Sequence, residues 1–166
     1  MRVAFGLGSN LGDRVGHLRA AVAGLAAGGV RDVRVSSLYE TDPVGGPAQP
    51  DYLNAVAVGE TSMTPYELLA LAKALEVEAE RVRTVRNAPR TLDVDILALG
   101  DVVLHSEELT VPHPRARERA FVLVPWAEVD PGFGVPGLGQ VAELAGVVDA
   151  SGVRPGPVVD LEGSHG

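Results

Sequence analysis

The chain has 166 residues, 46% of them hydrophobic and 22% charged, with 14 basic and 22 acidic residues giving a net charge of −8. That length makes one ordinary domain with a core of its own. The absence of cysteine excludes a disulfide framework, Cys-ligated zinc and a thiolate nucleophile.

The apolar runs fall short of the roughly 18–20 residues a membrane span needs. The opening stretch reaches Ser9, Asn10 and Asp13 too soon for a signal peptide. A cytoplasmic, soluble protein without membrane contact is the expectation. The acidic balance also argues against nonspecific nucleic-acid binding, which depends on Lys and Arg neutralising phosphates. Yet seven of the 14 basic residues, all Arg, fall between Arg81 and Arg119, which points to a local anion site.

In chain order, residues 2–7 read as a short apolar strand ending at Gly6 and Gly8. A helix follows from about Asp13 to Ala27, with Val15, Leu18, Val22, Leu25 and Ala26 on one face and Gly28-Gly29 as its stop. Alternation of Val33, Val35 and Ser37 against Arg34, Ser36 and Leu38 predicts a strand from Arg31 to Tyr39. Residues 42–50 hold three prolines and two glycines and read as a long working loop. Tyr52 to Glu60 is the next strand.

Thr64-Pro65-Tyr66-Glu67 is a capping box with proline at the first helical position, and Leu68, Leu71, Ala72, Leu75, Ala79 and Val82 form the stripe of the helix it opens. Leu92 to Leu99 is a strand, Phe121 to Val124 reads as another, and Leu138 to Val148 as a last helix. From Ser151, Gly, Pro and Ser lead to the expectation of a flexible tail over 151–166 behind a single domain over 1–150. The order β-α-β-β-α-β implies an α+β, ferredoxin-like antiparallel sheet with its helices packed on one face and a C-terminal extension.

The sharpest chemical feature is Arg90-Thr91-Leu92-Asp93-Val94-Asp95-Ile96. Residues two apart in a strand share a face at roughly 6.5–7 Å, so Asp93 and Asp95 project together. They are either a polar outer face or a pair for a hard divalent cation such as Mg²⁺, which takes one or two carboxylates with water and phosphate oxygens. Arg83, Arg86 and Arg90 upstream and Arg115, Arg117 and Arg119 downstream favour the second reading, since metal plus guanidinium groups is the equipment of phosphoryl-type transfer. No P-loop, nucleophile elbow or zinc-ligand spacing occurs. Gly6-x-Gly8 reads as a strand-end turn and Glu76 as part of a solvated helix face. His113, between two prolines, is either turn packing or a phosphate contact. Tyr52 and Phe121, two of only seven aromatics, are core residues or a clamp for a flat heterocycle.

Five stretches in order resemble the 6-hydroxymethyl-7,8-dihydropterin pyrophosphokinase family: Gly8-Ser9-Asn10-Leu11-Gly12, Val35 to Thr41, Gln49 to Asn54, Pro89 to Ile96, and Leu109-Thr110-Val111-Pro112-His113. The resemblance implies transfer of the pyrophosphoryl group of ATP to the pterin hydroxymethyl group in folate biosynthesis. It matches Asp93 and Asp95 to the ligands of two Mg²⁺ ions, and Arg83, Arg86, Arg90, Thr110, His113 and Arg119 to nucleotide contacts, with Arg83 and Arg90 also counted as catalytic. Thr41, Val44, Tyr52, Asn54 and Phe121 match the pterin pocket, its ring sandwiched by Tyr52 and Phe121. Glu76 and Arg81 match charged helix positions with no role specified. Residues 42–50 and 83–91 resemble the family's mobile loops. The chain departs from the pattern at Asn87-Ala88, where Trp-Gly is frequent, at Glu108, where some members carry Arg, and at Pro114, where an aromatic is usual. Substrates are small molecules; whether the chain acts alone or beside other folate-pathway enzymes is left open by the resemblance.

Overall fold

A computed structural model of the protein describes residues 1–10, 13–41, 52–81 and 92–161. The elements that build the main sheet are β1 (Arg2–Ser9), β2 (Arg31–Val35), β3 (Tyr39–Thr41), β4 (Tyr52–Glu60), β5 (Asp93–Leu99) and β10 (Val153–Pro155). Between them lie α1 (Arg14–Ala27) and α2 (Pro65–Arg81), then the hairpin strands β6 (Leu104–His105) and β7 (Thr110–Val111). After these come α3 (Ala120–Val129), the short pair β8 (Gly134–Val135) and β9 (Gly139–Gln140), and α4 (Val141–Val147).

The sheet runs β10-β3-β4-β1-β5, with β2 also paired to β4 and every pairing antiparallel. The central strands β4 and β1 are apolar on both faces. Val3, Phe5, Leu7, Leu53, Ala55 and Ala57 pack beneath α1 and α2, while Ala4, Val56 and Val58 face the other way.

Both long helices begin where their sequence signals lie. Asp13 caps α1 by accepting the Gly16 N–H at 3.0 Å, and Gly29 (φ 118°) turns the chain out of it. At α2 the Thr64 Oγ1 accepts the Glu67 N–H at 3.2 Å while the Glu67 carboxylate accepts the Thr64 N–H at 2.8 Å. This is the reciprocal box the sequence predicts.

Four expectations are corrected. The strand predicted over 31–39 is two strands, broken where Ser36 places its hydroxyl at 3.0 Å to accept the Val56 N–H and both Ser36 and Leu38 are buried. The first strand does not end at its glycines but continues through Gly6 and Gly8 to Ser9. Phe121 to Val124 is helical: Val122, Leu123, Pro125 and Trp126 are the buried residues of α3, a 3.6-residue spacing rather than alternation. The helices therefore do not all share one face. α1 and α2 cover one side, and α3 with α4 closes the other around Trp126 and Phe133, whose rings meet edge-on at 5.3 Å.

Of the segment 151–166 expected to be a flexible tail, Val153–Pro155 form an edge strand, and residues 162–166 lie outside the described residues. β10 pairs with β3, the Gly156 N–H reaches the Leu38 carbonyl at 2.8 Å, and Leu161 is buried in the core beneath α1 and α2.

Candidate active site

The register of three strands builds the floor of the site. Asn54 of β4, Gly8 of β1 and Asp93 of β5 lie in one row, and Gly6 is opposite Asp95 in the next. Directly paired residues point to the same face, here the face that α3 covers. Two strand spacings put Asn54 and Asp93 about 9.5 Å apart, with bare backbone between them. A Cβ on Gly8 would meet the Asn54 Oδ1 at 3.2 Å, and one on Gly6 would touch the Leu97 side chain at 3.4 Å. The glycines thus keep open a cavity of about 570 Å³, within the usual range for a small-molecule site.

Tyr52 and Phe121 stand in the walls of this cavity, with Thr41 and Asn54 at one side and Asp93 and Asp95 at the other. The buried Asn54 donates from Nδ2 to the Thr41 Oγ1 at 2.9 Å, which fixes the amide orientation. Phe121 comes from the first turn of α3, not from a strand mouth, and the Arg119 guanidinium lies over its ring at 5.6 Å.

A second cleft of about 370 Å³ opens on the α2 side of β5, between that helix and the β6–β7 hairpin. Asp95, Thr110 and His113 border it, as do Glu76 and Lys73 of α2. Asp95 is common to both cavities. It is exposed and Asp93 half-buried, while Val94 and Ile96 turn into the core.

Two anchors hold the meeting point. Glu76 accepts the Val94 N–H at 2.8 Å, tying α2 to the strand between its two aspartates. Near Leu97 the register of β5 shifts, and the freed Leu97 carbonyl accepts the His113 N–H at 2.8 Å.

The His113 imidazole is held neutral. Burial lowers its pKa most, the Asp95 charge opposes this, and Arg119 and Arg115 lower it further. Its Nδ1 accepts the Arg115 N–H at 3.2 Å, so in the neutral ring the proton sits on Nε2, leaving that nitrogen as a donor.

Of the residues singled out from sequence, Thr41, Tyr52, Asn54, Phe121, Asp93 and Asp95 come together at the larger cavity, as does Arg119. Thr110 and His113 gather at the smaller one. Val44, Arg83, Arg86 and Arg90 lie outside the described residues. Sequence reasoning missed the floor role of Gly6 and Gly8, which only the register reveals, and the bond that Glu76, taken for a solvated position, accepts from the Val94 N–H. It also gave no place to Lys73 or Glu107. No helix among the described residues is long and apolar enough to cross a membrane.

The family model described as 7,8-dihydro-6-hydroxymethylpterin-pyrophosphokinase matches residues 4–131. The chain belongs to this family. A 2-amino-4-hydroxy-6-hydroxymethyldihydropteridine pyrophosphokinase of Bacillus subtilis is 50% identical over 124 residues, 74% of each chain. One of Methylorubrum extorquens is 42% identical over 154 residues, 92% of this chain and 97% of its own. A crystal structure of Plasmodium falciparum HPPK-DHPS superposes with a TM-score of 0.68 at 14% identity, which speaks to the fold. It covers 87% of this chain but 42% of the longer one, so this chain spans less than half of that protein.

As a family member the chain is an ATP-dependent diphosphotransferase of folate biosynthesis, moving pyrophosphate from ATP to 6-hydroxymethyl-7,8-dihydropterin.

Proposed function

We propose that the two cavities hold the two substrates of this transfer, the reduced pterin over Gly6 and Gly8 and ATP in the cleft beside α2. The observation that carries the assignment is Asp95, which borders both. A flat ring lying on bare backbone between Tyr52 and Phe121 presents its polar edge to Asn54 and Thr41, and its hydroxymethyl arm toward Asp93 and Asp95. Val44 is assigned to the same pocket by the family resemblance. The triphosphate enters from the other side, where the His113 Nε2–H donates to a phosphate oxygen, with Thr110 at the nucleoside. Arg119 offsets its charge from the larger cavity, and the family resemblance assigns Arg83, Arg86 and Arg90 to the same task.

The donor set suits Mg²⁺. Asp93 and Asp95 are two carboxylates on one face, and Mg²⁺ takes one or two carboxylates with water and phosphate oxygens completing its shell. Asp93 and Asp95 would hold two Mg²⁺ ions, which would neutralise charge that develops on the triphosphate. The protein's own part is alignment. The pterin hydroxymethyl oxygen attacks the β-phosphorus and gives up its proton to solvent, the bond from that phosphorus to the α,β-bridging oxygen breaks, and AMP leaves with the bridging oxygen. Arg83 and Arg90 stabilise the oxygens as charge builds, with no covalent intermediate.

The strand order, with β4 between β1 and β2 and β1 between β4 and β5, supports a ferredoxin-like reading of the sheet. We place the activity in one domain in the cytoplasm, acting on small molecules without membrane or nucleic acid. Fusion of this domain to DHPS in the Plasmodium protein makes neighbouring folate-pathway enzymes its natural company.

The test is a product assay with ATP, Mg²⁺ and 6-hydroxymethyl-7,8-dihydropterin that resolves AMP from ADP. Pterin-dependent AMP matched by pterin diphosphate, lost in Asp95→Ala, supports the assignment. ADP as the product, or full activity in Asp95→Ala, overturns it.

A further inference from the structure

The cleft beside α2 has two chemically different ends. Glu76, near the C-terminal end of α2, is bonded to Val94, next to Asp95. Leu69, which also lines the cleft, is seven residues earlier, about 10.5 Å back along the helix axis. There the first turn of α2 meets the tip of the β6–β7 hairpin, where Tyr66 donates to the Ser106 Oγ at 2.9 Å. Ser106 in turn closes the tip, its Oγ accepting the Leu109 N–H at 3.1 Å. Glu107 and Glu108 stand exposed on that tip and border the cleft, with Leu69, Ala72 and Leu109 as its apolar wall.

Phosphate oxygens and carboxylates repel each other, and neither carries a proton to share at neutral pH. The hairpin tip therefore excludes the triphosphate, which belongs at the His113 end. What a carboxylate at the rim can do is accept a hydrogen bond from a neutral donor. The nucleoside half of a nucleotide offers two kinds, the ribose hydroxyls and an exocyclic amine of the base.

We infer that Glu107 and Glu108 accept hydrogen bonds from the nucleoside half of ATP, so that this chain selects its nucleotide by neutral donors at the hairpin tip. The inference rests on placing ATP in this cleft and adds to it the residues that read the nucleoside. Both side chains are exposed, so the hydrogen bond to a charged acceptor is worth only part of its buried value, about a threefold to tenfold change in affinity.

The experiment measures dissociation constants by calorimetry, with Mg²⁺ and without pterin. The nucleotides are ATP, 2′-deoxy-ATP, 3′-deoxy-ATP and inosine triphosphate, which lacks the 6-amine. The proteins are the wild type, Glu107→Ala, Glu108→Ala and the double variant. All four nucleotides carry the same charge, so the relief of repulsion that alanine brings cancels in their ratios.

Wild-type preference for ATP over at least one analogue, reduced about threefold or more in a variant, supports the inference. Loss of preference against the deoxy analogues assigns the ribose, and against inosine triphosphate the base. Equal ratios in all four proteins overturn it while leaving ATP in the cleft. No binding of ATP to the wild type removes the assignment of the cleft and the inference with it.

Discussion

Asp93 and Asp95 show what a residue pattern can reveal and Gly8 what it cannot. Two carboxylates at period two, between apolar residues, declare a shared face from sequence alone, and the structure puts both on the face away from Val94 and Ile96. A glycine declares only permission, and Gly6-x-Gly8 is read as a turn because turns use glycine most. Its purpose depends on strands some 46 and 85 residues away in sequence, opposite Gly8 at Asn54 and Asp93. We expect Gly8→Ala to keep the fold, since the φ of Gly8 is not in the left-handed region and only a side-chain oxygen stands at 3.2 Å. The methyl group must displace the Asn54 amide and lift the ring off its floor. Steady-state kinetics should then show the KM for pterin raised about tenfold or more, with the dissociation constant for ATP unchanged. An unaltered KM for pterin would falsify the floor role.

At the scale of elements, the capping box of α2 and the strand Tyr52–Glu60 were legible because their signals are local. α3 was not. Phe121-Val122-Leu123-Val124 is rich in the residues strands favour, and Pro125 within the helix normally argues against one. What decides for helix is the pair Leu123 and Trp126, both fully buried against the sheet, a tertiary fact. β10 was hidden for a different reason, since its pairing runs through backbone that composition does not reveal.

β10 pairs with the outer edge of β3, Leu161 just beyond it anchors the segment in the core, and β3 carries Thr41, the acceptor for Asn54. Removing the Leu161 side chain should destabilise the protein by about 2–4 kcal/mol. Loosening of β3 should also raise the KM for pterin more than that for ATP. Leu161→Met, which keeps the volume, should restore both. If Leu161→Ala raises the two KM values equally, the strap stabilises the fold without positioning the pocket.

Over the whole molecule, the sheet is sealed by two cores, and the second one hinges on how α3 is held. Near its C-terminal end the Glu128 carboxylate accepts from the Tyr39 hydroxyl at 2.6 Å, and from the Ser37 hydroxyl and N–H at 2.8 and 2.9 Å. Asp130 pairs with Arg2 nearby. This latch spans from the strand beside the Asn54 row to the helix whose first turn carries Phe121. It also titrates.

Burial, then the bond to Glu128, pushes the Tyr39 hydroxyl up to about 12 from 10.0. Burial works against the Glu128 charge, but the bonds from Tyr39 and Ser37 outweigh it and hold the carboxyl below its ordinary 4.5. A raised pKa means the folded state keeps the phenol proton more tightly than the unfolded one. The contribution of Tyr39 is therefore complete below pH 10 and lost as pH rises toward 12. The contribution of Glu128 is complete above its ordinary value and lost as pH falls below it.

Urea unfolding followed by the fluorescence of Trp126, the only tryptophan and fully buried in the second core, reads this directly. The wild type should exceed Tyr39→Phe in stability by a constant margin from about pH 6 to 9, and that margin should shrink steadily between pH 10 and 12. A margin that stays level to pH 12 would mean that the hydroxyl is not what fastens α3 to the sheet, and the latch would have to be sought in the pairing of Arg2 with Asp130.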